Sequence, residues 1–442
     1  MHRQNEISSN ELATQIEKSD IKIIDIRTTE AYNGWKLWGE KRGGHIKGAK
    51  SLPLKWINFT NWIEIVQHKD INPDDAIIIY GYSLDEAKQV SNLFYEWGYE
   101  NIKLYKHFVD EWTCNPNLPM EKLARYRHLV SADWAKQLIS GKKPDEYNSD
   151  KFLVIHTHYN NRDAYLSGHI RGAIDMNTLA LESPETWNRR TPEEMKNALE
   201  KHGITSDTTV VLYGKFMSSD NADEYPGSPA DLTAAIRNAM IMLYAGVKDI
   251  RILDGGFQSW HDAGYQIDTT DVPKVTINEF GLSIPQKPEL IMDMPQAKQI
   301  LKAADAELVC IRSYKEYTGE VSGYDYIKSK GRIPGVVFSE SGSDAYHMEN
   351  YRNFDGSIRE FREVATMWQN LGITPDKHLA FYCGTGWRAS EAWFSAWLMG
   401  WPEISVFDGG WFEWSKDPEN PIETGIPNSQ LAYNMQGQEE FE

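Results

Sequence analysis

The chain has 442 residues, with 64 acidic against 46 basic side chains and a formal charge of -18. At roughly 150 residues per domain this length allows about three cores, and the acidic balance argues against nucleic acid or an anionic membrane as a partner. No apolar run approaches the ~18 residues of a membrane span, and the start MHRQNEISSN is polar where a secretory signal is apolar. The chain as written therefore reads as cytoplasmic, or as periplasmic if a signal peptide has been trimmed from it. Three cysteines, Cys114, Cys310 and Cys383, lack CxxC spacing, which supports neither a disulfide scaffold, a zinc knot nor a dithiol motif.

Taken in chain order, the predicted elements repeat three times. The first copy runs from an apolar strand at 21–27 (IKIIDIR) through a Gly-x-Ile-x-Gly turn, GHIKGA from Gly44, to a second strand, AIIIY, that ends at Gly81. A helical stretch follows, and then a strand announced by Gly98. The second copy has FLVIHTH at 152–158, GHIRGA from Gly168, TVVLY ending at Gly214, GVKDIRIL from Gly246, and DGGFQSW from Asp254. The third has ELVCIRS at 307–313, GRIPGV from Gly331, HLAFY ending at Cys383, GWPEISVF from Gly400, and DGGWFEW from Asp408. The first copy keeps only Trp112 of the DGG stretch.

Short β-branched runs alternating with helices predict an α/β fold of three tandem domains, each a small parallel sheet flanked by helices. The expected boundaries are 1–124, 125–270 and 289–427, with a proline-bearing linker at 271–288 and a disordered tail at 428–442. The Ser-, Asp-, Gly- and Pro-rich stretch from Phe216 to Pro229 reads as a mobile surface insertion.

At the C-terminal end of a parallel strand, backbone N–H groups converge on one spot, and ligands of α/β sheets gather there. Only the third copy carries a nucleophile at that point: Cys383, then Gly384, Thr385, Gly386, Trp387 and Arg388, then a helix. Two glycines permit the tight turn of a loop curling around sulfur. A helix N-terminus and a nearby cation favour a thiolate in general, and Arg388 is placed to help. The matching positions in the other copies are Gly81 and Gly214, so modules one and two are expected to be catalytically silent.

The strand, the CGTGWR loop, the helix, the upstream Gly-x-Ile-x-Gly turn and the downstream DGG together resemble the rhodanese superfamily of sulfurtransferases, over nearly the whole chain. The resemblance implies transfer of sulfane sulfur from thiosulfate or 3-mercaptopyruvate to a thiophilic acceptor, cyanide or a thiol, through a Cys383 persulfide. It implies no metal and no cofactor beyond that covalent intermediate. Partners would be the small donor and acceptor, and a sulfur-relay protein in the alternative where a cysteine desulfurase loads the chain. A cysteine-dependent phosphatase is the other rival, disfavoured because its loop is C-x5-R and this one is C-x4-R. Arg312, in the segment matching the family's Asp-x-Arg turn, is expected to hold an anionic donor. Thr385 is expected to relay a proton, with His169 of module two as partner, and Trp387 to wall the pocket. Lys328, Lys330 and Arg332 lie near the substrate-side turn, and Asp344 and His347 sit in a polar stretch that could overhang the loop. Two departures stand out: Cys310 replaces the family's Asp, and Arg332 replaces its GHI histidine.

Overall fold

The computed structural model describes residues 5–16, 18, 21–215 and 230–427; the expected insertion at 216–229 and the tail at 428–442 lie outside the described residues. The chain divides into two units, residues 1–127 and 128–442. The first unit holds one five-stranded parallel sheet, with strands β1 (Asn5–Glu6), β2 (Ile21–Asp25), β3 (Lys50–Ser51), β4 (Ala76–Tyr80) and β5 (Ile102–Tyr105). The second unit holds two such sheets. One comprises β6 (Leu129–Val130), β7 (Phe152–His158), β8 (Ile174–Asn177), β9 (Thr209–Tyr213) and β10 (Asp249–Leu253). The other comprises β11 (Ile291–Met292), β12 (Ala306–Cys310), β13 (Val337–Phe338), β14 (His378–Tyr382) and β15 (Ile404–Phe407).

All three sheets share one strand order, in which the first strand borders the fifth, then the fourth, second and third: β1-β5-β4-β2-β3, β6-β10-β9-β7-β8 and β11-β15-β14-β12-β13. Helices cover both faces, so the middle strands are near-continuous apolar runs rather than alternating ones; Ile77, Ile78, Ile79, Val210, Val211, Leu212, Leu379, Ala380 and Phe381 are all buried. Each middle strand leads to the helix after the Cys383-type position: α1 (Leu84–Glu96), α2 (Ala230–Ala245) and α3 (Trp387–Leu398).

Helix α2 is buried on every side, as its Ala-, Ile- and Met-rich sequence demands. It packs against α3, so that equivalent helices of modules two and three face each other. The contact has an approximate two-fold character built from the DGG turns. Arg189 N–H donates to Asp408 Oδ2 at 2.8 Å, and in the mirrored position Ile358 N–H donates to Asp254 Oδ1 at 2.8 Å. The buried ion pairs are swapped in sign across it. Arg237 of α2 meets Glu182 and Asp408, whereas Glu391 of α3 meets Arg352 and accepts from Thr233.

The linker stretch at 271–288 is laid along module two. Ile277 N–H donates to Glu200 O, Ser206 N–H to Phe280 O and Gln286 N–H to Tyr244 O, and Phe280 is fully buried. The two glycines at the silent positions also have a structural reason. A Cβ on Gly81 would stand 2.7 Å from Ile26 Cγ1, and one on Gly214 would stand 2.0 Å from Asp231 O. Backbone cannot swing aside as a side-chain tip can. Gly214→Ala should therefore lower unfolding stability by about 1–3 kcal/mol, the range for an overpacked core, read as a lower urea midpoint; an unchanged midpoint would show that α2 yields freely.

Candidate active site

Strand β14 delivers Cys383 to the C-terminal edge of the third sheet, and the loop to α3 takes only three residues, Gly384, Thr385 and Gly386. Gly386 sits at φ +91°, in the left-handed region that glycine enters without steric cost. The DGG turn closes on this loop from outside: Trp411 N–H donates to Cys383 O at 2.8 Å and Phe412 N–H to Gly384 O at 3.0 Å. Among the described residues, the N–H groups of Gly384 through Arg388 find no protein acceptor. They join the unpaired first-turn amides of α3, which every helix carries. Cys383 is fully buried under this arrangement.

An aromatic roof covers the loop. A Cβ on Gly384 would stand 2.4 Å from Tyr324 Cε2, so only glycine lets the tyrosine lie on the backbone. Tyr324 stacks on Tyr326 at 5.3 Å, and Tyr326 stacks on Trp187 of module two at 5.4 Å. Trp187 meets Tyr159, also of module two, whose ring stands edge-on to Trp387 at 5.9 Å. Trp187 holds φ at +63°, an unusual conformation for a bulky residue. Tyr324 and Tyr326 are within electrostatic reach of Cys383. Burial pushes the Tyr324 hydroxyl above its usual range, against the pull of Arg388, so it stays a proton donor. It donates to Ala345 O at 3.0 Å.

Arg388 is not a free cation beside the thiol. It forms a bidentate pair with Glu316, at 2.8 Å for each bond, and reaches Ser341 Oγ at 3.2 Å and Asp344 O at 3.3 Å. Burial alone would push the Glu316 carboxyl up, but Arg388 outweighs it and holds the group below the ordinary carboxylate range. Such a fork is the strong form of ion pair, and it locks the start of α3 to the segment at 313–318.

Other expected site residues have other work. Arg312 is buried, donating Nε to Cys310 Sγ at 3.3 Å and Nη2 to Gly331 O at 2.8 Å, with its guanidinium over the Trp411 ring, and only its Nη1 has no partner among the described residues. Module one shows the same device, in which Arg27 binds Asp25 and donates to Gly44 O at 2.7 Å. Arg312 is thus a strut between strand and turn, with Cys310 standing where Asp25 stands. His169 is likewise no partner for Thr385. Its Nδ1 lies 2.9 Å from Tyr165 O and its ring stacks on Tyr165, as His45 does on Tyr32. Arg332 does that histidine's work in module three, lying over the Tyr317 ring and reaching Tyr317 O at 3.4 Å, while its other bonds pin Glu423 and Gly425. Thr385 has Tyr326 as its hydroxyl partner instead.

Lys328 and Lys330 are exposed and bind the carbonyls of Asp325 and Glu320. Asp344 and His347 pair with each other at 2.7 Å. The backbone of the polar stretch meets residues around the loop, since the carbonyls of Asp344 and Ala345 accept from Arg388 and Tyr324. Sequence reasoning missed Tyr324, Tyr326, Trp187, Tyr159, Glu182 and Glu316. The available signal was the aromatic pair in Gly323-Tyr324-Asp325-Tyr326, an odd composition for a surface loop.

Comparison with known proteins agrees with this geometry. The model of the rhodanese-like domain matches residues 8–114, 131–263 and 293–417. The thiosulfate sulfurtransferase YnjE of Escherichia coli is 39% identical over 418 residues, covering 93% of this chain and 91% of that protein. The sulfur carrier protein TtuD of Thermus thermophilus is 29% identical over 304 residues, covering 67% of this chain and 96% of its own length. Wild-type EanB superposes with a TM-score of 0.94 at 60% identity, covering 96% of this chain and 99% of that one. Other EanB structures hold hercynine, or ergothioneine covalently linked with a persulfide cysteine. The chain therefore belongs to the rhodanese family, as a sulfurtransferase of three rhodanese-like domains.

Proposed function

We propose that Cys383 accepts sulfane sulfur from a small anionic donor and passes it to the ring carbon of an imidazole betaine of the hercynine kind. The observation that carries this reading is the set of unpartnered amides from Gly384 to Arg388 around Cys383, under a roof of aromatic rings. The amides suit an anionic terminal sulfur. Aromatic faces suit a quaternary ammonium group and a flat ring, and they suit cyanide, a small linear anion, poorly. The likeness to EanB, at 60% identity, supports the same choice. Tyr324 precedes Cys383 by the same number of residues as the substituted tyrosine precedes the persulfide cysteine in EanB. Thr385 follows it as the threonine varied in EanB follows that cysteine.

The chemistry balances without a redox partner. The Cys383 thiolate attacks the outer sulfur of thiosulfate; the donor S–S bond breaks, sulfite leaves, and the cysteine holds the persulfide. The persulfide sulfur then bonds to the imidazole C2 between the two ring nitrogens. C2 loses its hydrogen as a proton, the S–S bond breaks with its electron pair returning to Cys383, and the product is the 2-thione. Tyr324, held protonated at the loop, supplies the hydrogen bond or proton that a ring nitrogen needs while C2 is attacked by turning its O–H from Ala345 O to that nitrogen. 3-Mercaptopyruvate is the second donor, in keeping with the Gly-Thr-Gly loop. No metal or bound cofactor enters these steps.

A second reading, persulfide relay to a protein thiol, draws on the likeness to the sulfur carrier TtuD. Intact mass after thiosulfate, followed by addition of hercynine, separates the two. The proposed function requires one extra sulfur on Cys383 and its reappearance in the thione, both lost in Cys383→Ser. Loading followed by transfer only to cyanide or thiols would overturn the acceptor assignment.

Tyr324→Phe should leave persulfide loading intact and slow thione formation by about 10²–10⁴-fold, the usual worth of a positioned acid; equal slowing of both steps would remove Tyr324 from the acceptor half-reaction. Glu316→Ala should strip Arg388 of its partner and cost about 3–5 kcal/mol of stability, read by thermal unfolding, whereas Lys328→Ala and Lys330→Ala should leave both stability and turnover unchanged.

A further inference from the structure

Module two carries no nucleophile, yet it grips the module-three loop from outside. Glu182, fully buried, accepts the indole N–H of Trp387 at 3.0 Å on one oxygen and 3.2 Å on the other. The same carboxyl receives Nε of Arg237, whose Nη2 goes on to Asp408 of the DGG turn. The remaining nitrogen of Arg237, Nη1, has no partner among the described residues and lies 3.1 Å from where a Cβ on Gly386 would be. Gly386 and Trp387 are consecutive, and they form the joint between the sulfur-holding loop and α3. Trp387 is therefore held by a module-two carboxyl, while Gly386 lies against a module-two guanidinium.

We propose that Glu182 is a positioning residue for sulfur transfer at Cys383, holding the Trp387 indole as the wall on which the acceptor ring rests. This rests on the reading of Cys383 as a sulfur carrier to an aromatic acceptor. Glu182 touches neither sulfur nor acceptor and acts through Trp387. The indole is only partly buried and its other neighbour is the exposed ring of Tyr159. Without the carboxyl, the indole keeps no hydrogen-bond partner and its rotamer is no longer set. Arg237 would still hold Asp408, and so the DGG turn that ties the loop carbonyls. Sulfur loading, which depends on the amides, should accordingly survive loss of Glu182.

The experiment uses the full chain and compares Glu182→Ala, Glu182→Gln, Trp387→Phe and the Glu182→Ala/Trp387→Phe double variant. Loading is read by intact mass after thiosulfate, transfer by KM and kcat for hercynine. Glu182→Ala and Trp387→Phe should each raise KM by about tenfold, as expected for one lost hydrogen bond to a charged group, with loading unchanged. The double variant should be no worse than either single one, because both remove the same contact. Glu182→Gln keeps an acceptor oxygen for the indole and should return KM to near the wild-type value. Multiplying effects in the double variant, a Gln variant as damaged as the Ala variant, or lost loading would each overturn the assignment. Hydrogen exchange over residues 383–390 gives a reading independent of the acceptor: it should speed up in Glu182→Ala and not in Glu182→Gln. If wild-type protein loads sulfur but leaves hercynine untouched, the acceptor reading falls, while unchanged exchange in Glu182→Ala sinks the role of Glu182.

Discussion

The whole site depends on two hydrogen bonds from the DGG turn, Trp411 N–H to Cys383 O and Phe412 N–H to Gly384 O. A loop of this length has as many acceptors as donors, and it binds an anion only if its carbonyls are engaged elsewhere. The turn satisfies two of them and leaves the loop amides without a protein acceptor among the described residues. Module two retains the same bond, Phe257 N–H to Gly214 O at 2.9 Å, without the thiol. The device thus belongs to the fold and precedes the chemistry placed on it. Asp408, first residue of the turn, is tied in its turn by Arg237 and Arg189 of module two. Burial pushes its carboxyl up, but the two guanidinium groups outweigh that and keep it ionised.

Modules two and three consequently behave as one half each of a single site. Their DGG turns cap each other's loops, and α2 and α3 share a buried face. In module two the start of α2 has closed onto Gly214, so the space a sulfur would occupy is filled with backbone. Module two, with Gly214 at the position of Cys383, supplies walls: Trp187 and Tyr159 complete the ring of aromatic side chains over the loop.

Much of this was legible in the sequence because it is local. Three strand-turn-strand repeats, the glycines of the CGTGWR loop and the lone strand-end cysteine are contiguous signals, and the three sheets follow from them with one strand order. Roles set by tertiary partners were not legible. Arg312 and His169 looked like ligands because they are polar and sit in motifs, but their partners are a carbonyl and a ring of their own module. Arg332 shows the same point in reverse, since a residue of different chemistry takes over the histidine's carbonyl and ring. Tyr324, Trp187 and Glu182 come from irregular segments with no periodicity to mark them, and the last two reach the site from another module. Nothing in the order of residues announces that.

Complete burial of Cys383 would at first sight argue for an inert core thiol, the commonest fate of a cysteine after an apolar strand. The surroundings argue otherwise, because an inert thiol has apolar neighbours, and this one is followed by five amides, Gly384 to Arg388, without a protein acceptor among the described residues. Tyr326 is 42% exposed and Tyr159 37% exposed, so the outer rings of the roof border solvent. Rotamer changes of exposed side chains take picoseconds to nanoseconds, far faster than turnover. Under the proposed function a closed roof has a chemical use: a persulfide anion shielded from water would keep its sulfur until a ring that fits between the aromatics displaces them, and the amides would act on it in a low-dielectric pocket where they count for most.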